Sequence, residues 1–469
     1  MALPSLQTAF HATGGQVQWV VEAYALFLAA LILVGGSFGD RFGLRRSFLT
    51  GIAIFAAASV WCGVAASITQ LLIARCAQGV GGALLVPNSL ALLSVSFPEA
   101  KRGRAIGTWS GFASMMTALG PILGGWVVQH GSWRFVFFLN VPIAVATVWI
   151  TMSKTSAIPP EFDKRKVDWA GALLGTCGLA GVTFSLMQWS TGGVGTHLAG
   201  VAGIILLVLF LIVEKHAAAP LMPLDLFRNR SFAGANLLTF FLYGALSCAL
   251  FYLPLNLIQV QGYSPTAAGA AMLPLVIVMF LLARWAGGLI ERMGPRAPLI
   301  IGPMVASVGF ALLERNGVGG SYWTTYFPAM AVLGLGMTVS VAPLTTVVMS
   351  SVDQKRTGAA SGVNNAVSQT AGLIALAVTA PLFLHMFSSS LNRDLVRYSV
   401  SPATVSEVWP QRGRLAAIQT EDSRARTAID DAFVSGFRLI AFIASASAVV
   451  AAAAAAATIG KSKPKASTE

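Results

Sequence analysis

Two ionisable side chains of opposite charge lie inside long apolar runs of this 469-residue sequence. Glu22 stands five residues into the run 17–38, and Arg75 about six residues into the run 69–96. At 1.5 Å per residue both lie roughly 8–9 Å from the same side of the layer those runs would cross. Charges at that depth are expensive and mark functional positions by default. A carboxylate beside an arginine whose contact can be broken is a workable proton carrier, because its affinity for a proton changes as the partner leaves. A static ion pair that only fixes helix packing accounts for the same two residues about as well. Arg284 lies near the end of its run, where its head can snorkel to water, and reads as structural.

A second constellation occurs twice. The first copy reads Gly36-Ser-Phe-Gly-Asp40-Arg41-Phe-Gly43-Leu-Arg45-Arg46 and the second Gly287-Gly-Leu-Ile-Glu291-Arg292-Met-Gly294-Pro-Arg296. Glycine, acid, arginine, glycine and arginine recur at identical spacing, 251 residues apart. The glycines permit a tight turn between packed helices, and the acid can meet arginines or a helix N-terminus. A charge cluster of this kind can latch one face of a protein and release it during a cycle. A lone copy would read equally well as a structural turn with surface ion pairs; duplication favours the latch, since internal repeats with a site between them are the mark of secondary transporters.

The elements that must position these residues are membrane spans. Hydrophobic residues make up 55% of the chain and charged ones only 10%, less than half the share usual in a soluble protein. Thirteen runs have the length and apolarity of spanning helices, near 17–38, 47–66, 69–96, 104–130, 133–152, 168–190, 197–215, 231–260, 265–290, 297–314, 320–350, 358–387 and 434–458. Twenty basic residues fall in alternate gaps, at residues 41–46, 101–104, 154–166, 215–230, 292–296 and 355–356 and in the tail; the other short gaps offer only Arg134 and Arg315. The first set is therefore cytoplasmic. Topology thus accounts for the net charge of +13, and with no soluble basic face a nucleic-acid partner is excluded. Residues 388–433 carry six arginines and six acids and read as a solvated external loop, with a short helix near Arg412–Ala432. Cys62, Cys76, Cys177 and Cys248 sit within apolar runs without metal or redox spacing, and no cofactor is expected. Gly460-Lys461-Ser462 imitates the end of a phosphate loop, but Ala455 stands where the first glycine belongs, which argues against ATP hydrolysis.

The loop Gly36–Arg46 resembles the signature loop of the major facilitator superfamily, G-x-L-a-D-R-x-G-R-R, with departures at Phe38 and Leu44. Leu72-Ile-Ala-Arg75-Cys-Ala-Gln78-Gly79 resembles the family's arginine-bearing fourth-span motif. The segment from Gly111 through Gly120-Pro121-Ile-Leu-Gly124-Gly125 resembles the fifth-span motif of antiporters. Trp19-Val-Val-Glu-Ala-Tyr24, Trp133 through Asn140-Val-Pro142, and Gly358 through Asn365 point to the fourteen-span drug:proton antiporters of the EmrB/QacA type. The paired loops follow the first and ninth full spans, so two extra spans lie between the halves. The resemblance implies an all-α fold of two six-helix bundles: 1–152, then two linker spans in 153–230, then 231–458 with the external loop, and a cytoplasmic tail 459–469. It also implies that most of the opening span, with its embedded acid, is missing. Residues 1–12 are expected to form a short helical stub, with a groove beside the fourth and fifth spans; a start placed downstream of the true one is the favoured cause. The fifth-span glycines imply a role in preventing leak, although close packing explains them too.

The path for cargo is written less clearly. Asn236, Phe240 and Tyr243 share one face of the run 231–260, and Asn364 and Asn365 place amides in the run 358–387. Apolar and aromatic walls with scattered amides suit amphipathic cargo, and hydrogen bonding between helices is the simpler role for any one of them. Together these features lead to a non-enzymatic secondary transporter that couples proton entry to efflux of hydrophobic or amphipathic drugs by alternating access, with protons, lipid and small hydrophobic substrates as partners; the resemblance implies the cytoplasmic membrane of a bacterium. Export of a physiological metabolite such as a lipid, siderophore or amino acid remains an alternative, as does a transport-inactive protein. The sequence names no periplasmic partner.

Overall fold

The computed structural model of the chain describes residues 2–96, 116, 119–120, 122–155, 168–188, 193–217, 220–352 and 357–460; the side chains of Asp40, Arg284, Glu291 and Arg292 lie outside that description. Every named element among the described residues is helical. In chain order the α-helices are α1 (Leu3–Phe10), α2 (Gly14–Phe42), α3 (Leu44–Val64), α4 (Ile68–Ser96), α5 (Trp133–Phe138), α6 (Asn140–Lys154), α7 (Trp169–Met187), α8 (Val194–His216) and α9 (Arg230–Leu255). There follow α10 (Pro265–Ala270), α11 (Leu273–Gly287), α12 (Leu289–Met293), α13 (Arg296–Leu313), α14 (Tyr322–Ser350), α15 (Thr357–Arg397), α16 (Pro402–Val408) and α17 (Ser423–Thr458). Twelve helical stretches among the described residues are long and apolar enough to cross a membrane. The expected span 104–130 falls largely outside the described residues, which show it helical over 122–130.

Long apolar helices form here because a spanning segment must satisfy its own backbone, and their ends are fixed by local chemistry. Thr13 and Gln16 close a capping box at the start of α2: the Thr13 Oγ1 accepts from the Gln16 N–H at 3.2 Å, and Gln16 Oε1 accepts from the Thr13 N–H at 2.9 Å. Asp168, Asn229 and Asp422 cap α7, α9 and α17 in the same sense.

In the amino-terminal half α4 packs against both α2 and α3, and α3 against α5 and α6. The short α1 lies across the outer ends of these helices, where Leu6 is buried with Cys62, Leu71 and Trp133 and the Phe10 and Trp133 rings stand 5.3 Å apart. A short helix, Leu3–Phe10, lies within the stretch expected to be a stub; of the two spans expected to border a groove, the fifth falls largely outside the described residues. In the carboxy-terminal half α9, α15 and α17 pack on one another, α13 joins α14 to α17, and one continuous buried cluster runs through them. The halves meet where α2 packs on α15, and the inserted hairpin α7–α8 lays α7 against both of those helices.

The external segment departs from its sequence reading. Rather than a solvated loop, α15 continues to Arg397, α16 and a 3₁₀ stretch (Trp409–Ala417) follow, and α17 already begins at Ser423. Val408, Leu415, Ala416 and Ile418 are buried, because these apolar side chains find the outer ends of α1, α2, α15 and α17 beneath them.

Candidate functional site

Glu22 and Arg75 both lie in the amino-terminal half, but they are not partners. The Arg75 Nε donates to the Val20 carbonyl at 2.8 Å, its Nη1 donates to Gln78 Oε1, and the guanidinium lies 4.5 Å from the centre of the Tyr24 ring. Gln78 Nε2 passes the connection to Ser59 Oγ at 2.7 Å, and Asn140 Nδ2 reaches the same hydroxyl at 3.3 Å. Arg75 is therefore the head of a polar network joining α2, α3, α4 and α6. Glu22 lies two residues from Val20 and from Tyr24, about 200° around the helix from each. Its carboxylate is wholly buried, and neither oxygen has a hydrogen-bond partner among the described residues.

The face of α2 that carries Glu22 looks toward the other half. One turn outward, Gln18 Nε2 donates to the Leu376 carbonyl of α15 at 2.7 Å. Cys248 and Tyr252 of α9 lie near Glu22 across this seam. Cys248 Sγ lies 3.5 Å from Thr379 Oγ1, and Tyr252 stacks on Phe383 with ring centres 4.6 Å apart. A buried carboxyl thus occupies the seam between the halves, with the Gln18 side chain beside it and thiol, hydroxyl and aromatic groups of α9 and α15 nearby.

At the ends of α2 and α12 the two loop copies make matching turns. Gly43 ends α2 at φ 94° and Gly294 ends α12 at φ 72°, conformations that disfavour any side chain. The arginine two residues on does the same work in each copy. Arg45 Nη2 donates to the Met152 carbonyl at 2.9 Å and Arg296 Nη2 to the Ala456 carbonyl at 2.5 Å, each near the C-terminal end of the last helix of its own half. A cation there also meets the negative end of the helix dipole. These two arginines therefore tie each half to itself. A Cβ on Gly36 would stand in ordinary contact with Pro87 at 3.8 Å, Arg41 lies over the Phe42 ring at 5.4 Å, and Arg46 is exposed. The acids that would complete a latch, Asp40 and Glu291, and the neighbouring Arg292 have side chains outside the description.

Of the fifth-span residues, Gly111 and Pro121 lie outside the described residues. Gly120 and Gly124 face open space, whereas a Cβ on Gly125 would run into the Pro265 main chain at the start of α10. Gly125 is thus the point where the fifth span comes against the carboxy-terminal half. Among the expected cargo residues, Asn236 is buried and accepts from Asn364 Nδ2 at 3.1 Å, and the same amide donates to Thr239 Oγ1 at 2.8 Å, so these groups join α9 to α15. Phe240 lines an apolar cavity of about 170 Å³ with Gly244, Cys248 and Ile440. Tyr243 packs on the carboxy-terminal core, and Asn365 is exposed. Sequence reasoning missed the partners of Arg75. The signal was available in Gln78, three residues on and on the same helix face, and in Tyr24.

A polytopic helical chain in two halves, with a buried carboxyl at their seam and matching loops beneath, is a membrane transporter by architecture. The sequence matches the Major Facilitator Superfamily over residues 1–376, and the chain belongs to that family. It is 32% identical over 449 residues to the tetracenomycin C resistance and export protein of Streptomyces glaucescens, covering 92% of this chain and 77% of that one. It is 30% identical over 480 residues to the multidrug resistance protein Stp of Mycobacterium tuberculosis, covering 96% and 86%. With the methylenomycin A resistance protein of Bacillus subtilis the identity is 31% over 394 residues, 82% of this chain and 83% of that protein. The fold is similar to the inward-facing, unoccupied crystal structure of a bacterial homolog of the human lysosomal transporter Spinster, with TM-score 0.67, 17% identity, and coverage of 98% and 94%. The inward-open xylose transporter XylE from E. coli gives TM-score 0.59 at 14% identity, covering 99% and 92%. The protein is a multi-pass membrane transporter.

Proposed function

We propose that the protein exports hydrophobic or amphipathic drugs across the bacterial cytoplasmic membrane by alternating access, driven by protons returning through Glu22. The observation that carries this reading is the buried Glu22 carboxyl, without a hydrogen-bond partner among the described residues, at the seam between α2 and the carboxy-terminal half. A carboxyl closed off from water holds a proton and releases it when the site opens to water, so a seam that opens alternately on the two sides moves protons as it moves cargo. Arg75 serves this cycle by holding α2 in place, through Val20 and Tyr24, so that Glu22 faces the seam. The bundles 1–152 and 231–458 rock against each other, with the linker spans alongside. Relatives named for export of, or resistance to, antibiotics support drugs as the cargo. The test is dye uptake into inverted vesicles with and without an imposed pH gradient, for the wild type and Glu22→Gln. Gradient-driven uptake that survives the substitution would sink Glu22 as the carrier.

A further inference from the structure

The external segment between α15 and α17 touches both halves of the transporter, and its contacts are specific. From the amino-terminal half, Gln7 Nε2 of α1 donates to the Arg414 carbonyl at 2.7 Å. Leu415 lies on Gly14 at the start of α2, so close that a Cβ on residue 14 would stand 2.8 Å from Leu415 Cδ1. From the carboxy-terminal half, Arg426 Nη1 donates to the Ala416 carbonyl at 2.9 Å, and its Nη2 to the Gln259 carbonyl and Asp430 Oδ1, each at 2.6 Å. Gln259 Nε2 closes the circle by donating to Gln7 Oε1 at 2.8 Å. At the start of the segment Tyr398 donates to Asp431 Oδ2 at 2.6 Å, a bond that raises the phenol above its ordinary pKa.

Leu415 carries a further sign of constraint. Its backbone lies at φ 58°, ψ −132°, a region that a leucine occupies only when its surroundings over-determine it. Its side chain is at the same time among the buried ones. Beneath it a small cavity of about 60 Å³ is lined by Gln7, Gly14, Gln18, Tyr252, Phe383 and Leu415. Gln18 is the residue one turn outside Glu22. From outside to inside the order is therefore segment, Gln7 with Gln259, cavity, Gln18 and Glu22.

We infer that residues 413–416 are the outer gate of this transporter, a strap anchored on the carboxy-terminal half by Arg426 and closed onto the amino-terminal half by Gln7 and Gly14. Opening toward the outside requires α2 to part from α9 and α15 at their outer ends. The Gln7–Arg414 and Gln7–Gln259 bonds and the Leu415–Gly14 contact cross that line and must break together. Gln7, Gln259 and Leu415 are thus positioning residues: they set how often the roof over Gln18 and Glu22 opens, without touching the carboxyl. The inference rests on the alternating-access reading above, and its test has one arm that needs no transport.

That arm places a reporter under the roof as Val17→Cys, with Cys62, Cys76, Cys177 and Cys248 changed to serine, and measures its labelling by a membrane-impermeant maleimide added outside. Gln7→Ala and, separately, Gln259→Ala are expected to speed labelling about tenfold, the scale of losing one or two net hydrogen bonds from the closed state. Unchanged thermal stability of either variant establishes that the fold is intact. In the second arm the pair Gly14→Cys/Leu415→Cys is oxidised in the same serine background; a cross-link is expected to abolish dye export at least tenfold, and reductant to restore it. Labelling that neither glutamine variant alters, or a cross-linked protein that exports at the uncross-linked rate, overturns the gate. Faster labelling in a protein that exports nothing upholds the gate and rejects the transport reading instead.

Discussion

Arg75→Ala tests whether that residue works as a structural hub. The substitution removes a hydrogen bond to the Val20 carbonyl, one to Gln78 Oε1 and a cation–π contact with Tyr24. Hydrogen bonds from a charged donor contribute about 1.5–3 kcal/mol each and the ring contact about 1–2 kcal/mol, a gross loss of roughly 4–8 kcal/mol. The guanidinium no longer has to be held away from water, which returns several kcal/mol. The expected net destabilisation is about 2–4 kcal/mol. In detergent-solubilised protein this is a fall in apparent Tm on the order of 5–10 °C, if the amino-terminal half unfolds as a unit of ordinary domain size. Arg75→Lys keeps the charge but cannot span both acceptors, and should recover about half of the loss. The decisive measurement is the double variant Glu22→Gln/Arg75→Ala. Because the two groups are not in contact, their effects on stability should add within about 0.5 kcal/mol. An Arg75→Ala protein as stable as the wild type would refute the hub, and a larger coupling would reinstate a Glu22–Arg75 pair.

Glu22→Gln is expected to raise the apparent Tm, since a neutral amide replaces a buried carboxyl with no partner among the described residues, while gradient-driven export is lost; normal export from pH 6 to 8 would place the carrier elsewhere. Gly125→Leu should impair export without blocking membrane insertion, because its side chain must enter the Pro265 main chain, whereas Gly124→Ala faces open space and should match the wild type in the same dye assay. Gly43→Ala and Gly294→Ala should each cost about 1–3 kcal/mol, from forcing a Cβ into backbone at φ 94° and 72°, read as parallel falls in Tm; a neutral result at either would deny the turns their shared conformation.

The amino-acid sequence by itself determined that this chain crosses a membrane many times, because spanning length is a local property that needs no partner, and its positive-charge bias points to one set of loops as cytoplasmic. It also determined the duplication, since the spacing from Gly36 to Arg45 returns from Gly287 to Arg296, and the matching positive φ at Gly43 and Gly294 follows from a turn that only glycine fits easily. What it could not settle was which neighbour each helix face meets. Counting residues gave Glu22 and Arg75 the same depth but not their direction around the helix, and the tertiary structure turned Arg75 to Tyr24 and Gln78 and left Glu22 facing the opposite half. The external segment shows the same limit. Its balanced charges suggested solvent, yet its backbone carbonyls are met by Gln7, a partner 407 residues away from Arg414, and by Arg426. Only the packed molecule brings those donors to that surface, because contacts between distant segments depend on how helices are arranged and not on what any one of them contains.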